Sequence, residues 1–158
     1  MLHRTVAQDV LAYLHVAQNP RDDVHLRHIL NRPSRGIGRT TKERLAQYAR
    51  EEGISLWEAI KEVDKIDSLS SRPRRSLKEF RDFLSPYVDQ AAGQAPSEWV
   101  ADYIEESGYL NAATRSSTKE HLEREGWVHE LIGSLTGESL QRDTPSKDVS
   151  SRDTRSAN

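Results

Sequence analysis

The chain has 158 residues, 23 Lys+Arg against 25 Asp+Glu, no cysteine and 35% apolar residues. Even with its glycines counted it stays below the apolar share of about 45–50% usual for globular domains, which fits one domain with a polar end better than two domains. The missing cysteines exclude a disulfide framework, a thiol nucleophile and a Cys-based zinc site, and the lack of any long apolar run excludes a membrane span or signal-peptide core, so the expectation is a soluble cytoplasmic protein.

Along the chain, the apolar spacing is helical. Val6, Val10, Leu11 and Leu14 predict a first helix from about Val6 to Gln18, ended by Asn19-Pro20 because proline disfavours helix in the residue before it. Asp22 or Asp23 can cap a short second helix with Val24, Leu26, Ile29 and Leu30 as its inner face. Pro33 through Gly38 reads as a turn. Thr40 or Thr41 then caps a third helix presenting Leu45, Tyr48 and Ala49, with Gly53 at its C-terminal end. Ser55-Leu56-Trp57-Glu58 has the form of a capping box and opens a fourth helix to about Val63. A fifth should run from about Pro73 through Leu77, Phe80 and Leu84, with Pro86 kinking or ending it. A sixth starts at Pro96-Ser97, passes Trp99, Val100, Tyr103 and Ile104, and stops at Gly108. Ser117 with Glu120 forms another capping box, opening a last helix through Leu122, Val128, Leu131 and Ile132. No segment alternates with period two, so the expected class is all-α. From 137 to 158 the clearly apolar side chains are only Leu140, Val149 and Ala157, too few to offset the entropy of ordering the segment. The expected organisation is therefore a helical domain over 1–136 and a disordered polar tail over 137–158.

The near-neutral net charge conceals segregation. Arg32 to Arg50 carries six basic residues and one acid, Glu43; Arg72 to Arg81 carries five basic residues and one acid, Glu79. Between them, Glu51 to Asp67 carries six acids and two lysines. A chain neutral overall can still present one positive face.

The chemistry concentrates in Arg35-Gly36-Ile37-Gly38-Arg39-Thr40-Thr41-Lys42. Two helices flank a tight turn whose glycines straddle one aliphatic residue, giving a helix-hairpin-helix-like unit. Glycine permits positive φ and lets a partner approach the main chain closely. The turn opens directly into a helix N-terminus, where unpaired N–H groups and the helix dipole favour an anion. Ile37 can drop between the helices and fix the hairpin, while Arg35, Arg39, Lys42 and Arg44 surround it with positive charge. Such a unit holds nucleic-acid phosphates without reading bases.

Other signals carry less. His25 with His28, and His121 with Glu125 and His129, have helical spacing for a metal but lack a third strong ligand, so no metal or other cofactor is expected. Arg72, Arg74, Arg75, Lys78 and Arg81 fit either a second phosphate patch or a solvated helix face. Trp57, Trp99, Trp127, Tyr13 and Tyr48 fit a core better than a base-stacking platform. There is no Gly-Lys pair, no G-x-G-x-x-G and no G-x-S-x-G, so nucleotide hydrolysis and serine hydrolase chemistry are not expected, and no catalytic residue is assigned.

The order Asp9-Val10-Leu11-Ala12-Tyr13-Leu14, Asn19-Pro20-Arg21-Asp22-Asp23, then Ile29 through Gly38, closely resembles the 2B subdomain of UvrD/Rep/PcrA-type superfamily 1 DNA helicases. The likeness continues through Ala49 to Ala59 and returns at Glu105-Glu106-Ser107-Gly108-Tyr109. This resemblance implies an all-helical insertion of a motor domain that meets duplex DNA through its G-I-G hairpin. Carried over, Gly36, Ile37, Gly38 and Thr40 or Thr41 would touch duplex phosphates, with duplex DNA and helicase motor domains as partners. The family's ATP-binding motifs lie outside that subdomain. His15 stands where the family usually has Arg, and Glu125-Gly126-Trp127 where it has Leu-Glu-Asn. The resemblance thus implies an isolated subdomain, a truncated product or one piece of a split protein, noncatalytic by itself. Two alternatives stay open: a protein-interaction or regulatory fragment without DNA binding, and a helix-hairpin-helix DNA glycosylase. For the latter Asp64 and Asp67 lie at plausible distance in sequence, but no lysine nucleophile accompanies them near the hairpin.

Overall fold

Short-range signals set most helix boundaries in the computed structural model, which describes residues 2–110 and 118–136. Helix α1 spans Leu2–Gln18, starting a turn earlier than its apolar spacing predicts. Helix α2 spans Asp23–Ile29 and is capped by Asp22, whose side chain accepts the His25 N–H at 3.2 Å. Helix α3 spans Arg39–Glu52 and closes on Gly53, whose φ of 68° is the left-handed geometry glycine supplies at low cost. Helix α4 spans Leu56–Lys61; Ser55 Oγ accepts the Glu58 N–H at 3.2 Å, as the capping box requires, and a 3-10 turn follows over Val63–Lys65. Helix α5 spans Ser71–Gly93. A 3-10 turn at Pro96–Glu98 leads into α6, Val100–Glu106, and α7 spans Thr118–Thr136. Among the described residues there is no strand, and the fold is all-α. Ser117 and the tail from 137 lie outside the described residues.

Three expectations are corrected. Of the two effects expected of Pro86, kinking or ending α5, the ending does not occur: the helix continues to Gly93. Pro86 and Asp82 are both exposed, so the carbonyl deprived of its N–H partner faces solvent rather than the core. Val24 is not on the inner face of α2 but 77% exposed. It sits two residues, or about 200° of helical turn, from the buried Leu26. Thr40 and Thr41 do not cap α3; both lie inside its first turn, and Gly38 occupies the cap.

The core gathers Val10, Tyr13 and Val16 of α1, Leu26 and Ile29 of α2, Leu45 of α3, Ile60 of α4, Leu77, Phe80 and Leu84 of α5, and Tyr103 and Ile104 of α6. Each fully buried aliphatic or Phe side chain contributes about 1.5–3 kcal/mol. Tyr103 centres an aromatic cluster, with ring centroids 5.6 Å from Tyr13, 5.5 Å from Phe83, 4.9 Å from Tyr87 and 5.8 Å from Trp99. Trp57, Trp99 and Tyr13 are buried, and Trp127 packs half-buried against the same core. Tyr48 is half-buried and donates to Glu62 at 2.9 Å.

Among the described residues, one charged side chain lies in this core. Asp9, 1% exposed, accepts from Arg32 Nε and Nη2 at 2.9 Å each and from the Tyr109 hydroxyl at 2.7 Å, with His28 Nε2 at 2.8 Å. Burial pushes its carboxyl up, but the bonds from Arg32, Tyr109 and His28 outweigh that and hold it below the usual carboxylate range. Asp9 thereby ties α1, α2, the start of the hairpin loop and the segment after α6 at one point.

Candidate nucleic-acid interface

The hairpin joining α2 to α3 is built from within. Asn31 Oδ1 accepts the backbone N–H of Arg35 at 2.6 Å and of Ile37 at 3.2 Å, closing the loop. Ile37 is fully buried and anchors the turn in the core, as its position between two glycines suggested. The glycines have different jobs. Gly36 has φ +80°, and a Cβ there would stand 3.3 Å from Ser76 Oγ of α5. Gly38 has extended backbone, φ −86° and ψ −167°, and a Cβ there would meet nothing within 4 Å. Gly36 is thus needed for the turn itself, whereas Gly38 leaves open space in front of the amino terminus of α3.

That terminus carries no side-chain cap. Its first N–H groups have no intrahelical acceptor, and an anion in front of such a helix start satisfies them. Arg39 and Thr40 are exposed beside it. Arg39 lies 3.3 Å from Glu43, an exposed i,i+4 pair worth little in water. Lys42 is half-buried, and burial together with the nearby Arg27 and Arg32 lowers its ammonium pKa. Arg32 is committed to Asp9; among the described residues neither Arg27 nor Lys42 has a carboxylate partner. Cations crowded without a counter-charge, beside an uncapped helix start, make a surface that gains from an anion.

Arg35 is elsewhere. Its Nη1 donates to the carbonyls of Ile29 at 2.6 Å and Leu30 at 3.2 Å, and its Nη2 to the Tyr13 hydroxyl at 2.6 Å and the Ser107 carbonyl at 3.2 Å. Its guanidinium carbon lies 5.0 Å from the Phe80 ring centroid. The expectation of Arg35 as surface charge around the turn is therefore corrected. The carbonyls at the end of α2 and an aromatic bed draw it inward, and Tyr13, Phe80 and Ser107 come from distant parts of the chain. Thr41 is 7% exposed and also faces inward. Arg44 is exposed, and its Nη1 donates to the Ser68 carbonyl at 2.8 Å, tethering α3 to the loop before α5. The structure thus brings Gly38, Arg39, Thr40 and Lys42 together at the open end of the hairpin. Gly36, Ile37, Arg35 and Thr41 hold it from behind. Arg27 joins the open side; its only signal in sequence is a position on the second helix one turn before the basic loop.

Of the candidate metal-ligating histidines, His25 and His28 are engaged with carboxylates, and the side chain of His121 lies outside the described residues. His25 Nδ1 lies 2.6 Å from Asp22 and His28 Nε2 2.8 Å from Asp9, and among the described residues no group of three metal-ligating side chains converges. Nor is any helix among them long and apolar enough to cross a membrane.

A sequence profile of the UvrD-like helicase C-terminal domain matches residues 1–129. The chain belongs to that family. A probable DNA helicase II homolog of Rickettsia felis is 29% identical over 132 residues, 84% of this chain and 20% of the relative. The ATP-dependent DNA helicase PcrA of Staphylococcus epidermidis is 32% identical over 121 residues, 77% of this chain and 16% of the relative. PcrA of Bacillus subtilis is 32% identical over 106 residues, 67% of this chain and 14% of the relative. This UvrD-like chain spans a fifth or less of the length of these relatives.

Proposed function

We propose that this chain is the 2B-type accessory region of a UvrD-like helicase, binding duplex DNA through its phosphate backbone and performing no catalysis by itself. The observation that carries the reading is the open amino terminus of α3 at Gly38, flanked by Arg39 and by Lys42, which has no carboxylate partner among the described residues. Backbone N–H groups and cations beside a helix start grip phosphates, whereas reading bases needs side chains projected into a groove. Binding is therefore independent of sequence and weak, on the order of 10⁻⁴ to 10⁻⁶ M at physiological salt. Duplex DNA is the partner of the hairpin, and helicase motor domains are the second partner of the chain.

The test is a salt-series fluorescence-anisotropy titration on two duplexes of unrelated sequence. Lys42→Gln should weaken binding to both equally and lower the salt slope by about 0.9. It removes a repulsion shared with Arg27 and Arg32, so folding stability should hold. An unchanged slope, or a loss confined to one duplex, would sink the reading.

A further inference from the structure

The acidic segment Glu51–Asp67 separates the two basic segments in sequence, but two points of approach bring them together in space. Gly36 of the hairpin abuts α5, where a Cβ on it would stand 3.3 Å from Ser76, and Arg44 of α3 bonds the Ser68 carbonyl at 2.8 Å. The chain between Ser68 and Ser76 is therefore held along the flank of the hairpin. It contains no carboxylate.

The cations of the second segment divide sharply. Arg74 turns inward, donating to the carbonyls of Val63 at 2.8 Å, Ile66 at 3.2 Å and Leu69 at 2.6 Å, and so fixes the first turn of α5. Lys78 pairs with Asp64 at 2.8 Å and Arg81 with Asp82 at 3.1 Å. Arg72 and Arg75 remain: both are exposed, neither has an ion-pair or hydrogen-bond partner among the described residues, and with Ser71 they line one shallow surface hollow. Arg72 lies one helical turn before Ser76 and hence on the stripe of α5 that meets the hairpin.

We propose that Arg72 and Arg75 form a second phosphate-binding surface that continues the hairpin's face onto α5 and grips the same duplex. This rests on the proposed function. Two rigidly joined binding points hold a duplex more tightly than either alone, because the second engages at a high effective concentration. The brace from Arg74 supplies that rigidity.

The experiment uses the full chain and a labelled duplex in a salt series, with circular dichroism of each variant confirming the fold. The variants are Arg72→Gln/Arg75→Gln, the charge-matched control Lys78→Gln/Arg81→Gln, and Gly38→Asp. The first should lower the salt slope by about 1.8, or about 0.9 for each phosphate no longer neutralised, while the control leaves it unchanged. A slope equal to the control's, with Gly38→Asp still abolishing binding, overturns the second surface and leaves the hairpin reading standing. Absence of duplex binding by the unaltered chain overturns both.

Discussion

Replacing Gly38 by aspartate should raise stability and abolish DNA binding at once. At φ −86° and ψ −167° Gly38 already has the backbone of a helix cap, and a Cβ there has no neighbour within 4 Å. An aspartate can therefore accept an N–H of the first turn of α3 without moving anything. Relative to glycine, a good cap contributes a few tenths of a kcal/mol. A negative charge at a helix start contributes about 0.3–1 kcal/mol, and a less flexible unfolded chain about 0.4–1 kcal/mol. Since these overlap, the expected gain is about 1 kcal/mol, or about 4 °C in melting temperature for a domain of this size. The same carboxylate stands where the reading places a DNA phosphate, and such like-charge juxtaposition costs several kcal/mol, so duplex affinity should fall at least about 100-fold. Gly36→Ala is the counterpart: it forces a side chain to φ +80° against Ser76 and should destabilise by about 1–2 kcal/mol. Thermal melts by circular dichroism and duplex anisotropy read both quantities. If Gly38→Asp melts lower than the unaltered chain, the cap geometry is wrong; if it melts higher and binds duplex as before, no phosphate sits there.

Arg35→Met should destabilise by about 2–3 kcal/mol in urea unfolding, because four acceptors lose a charged donor, while the salt slope of DNA binding stays unchanged. A slope reduced as in Lys42→Gln would return Arg35 to the phosphate-binding set. Asp9 contributes to acid stability: its folded-state carboxyl lies below the unfolded value, so its contribution is complete above about pH 5 and is lost as pH falls through the folded pKa. Asp9→Asn should therefore lower the urea midpoint at pH 7 and shrink the difference between pH 7 and pH 3; an unaltered difference would show that the network does not respond to acid.

Much of this protein follows from short stretches of chain. Asp22 and Ser55 bond N–H groups three residues on, Gly53 closes α3 in a left-handed turn, and Ile37 between two glycines reads as a buried anchor. Each of these depends on a few neighbouring residues, so the all-α class and the hairpin were legible without a fold. The fate of the charges follows only from packing. Arg35 and Arg72 look alike in sequence, yet the first finds four acceptors contributed by four different residues, and the second finds none among the described residues. No neighbouring residue marks Asp9 as buried; Arg32, His28 and Tyr109, which converge on it, lie at least 19 residues along the chain. A charged side chain either meets carbonyls, rings and carboxylates or stays in water, and which of these it does depends on elements packed from far along the chain. No local pattern encodes that choice, because the energy that decides it, desolvation against specific partners, exists only once those elements have met.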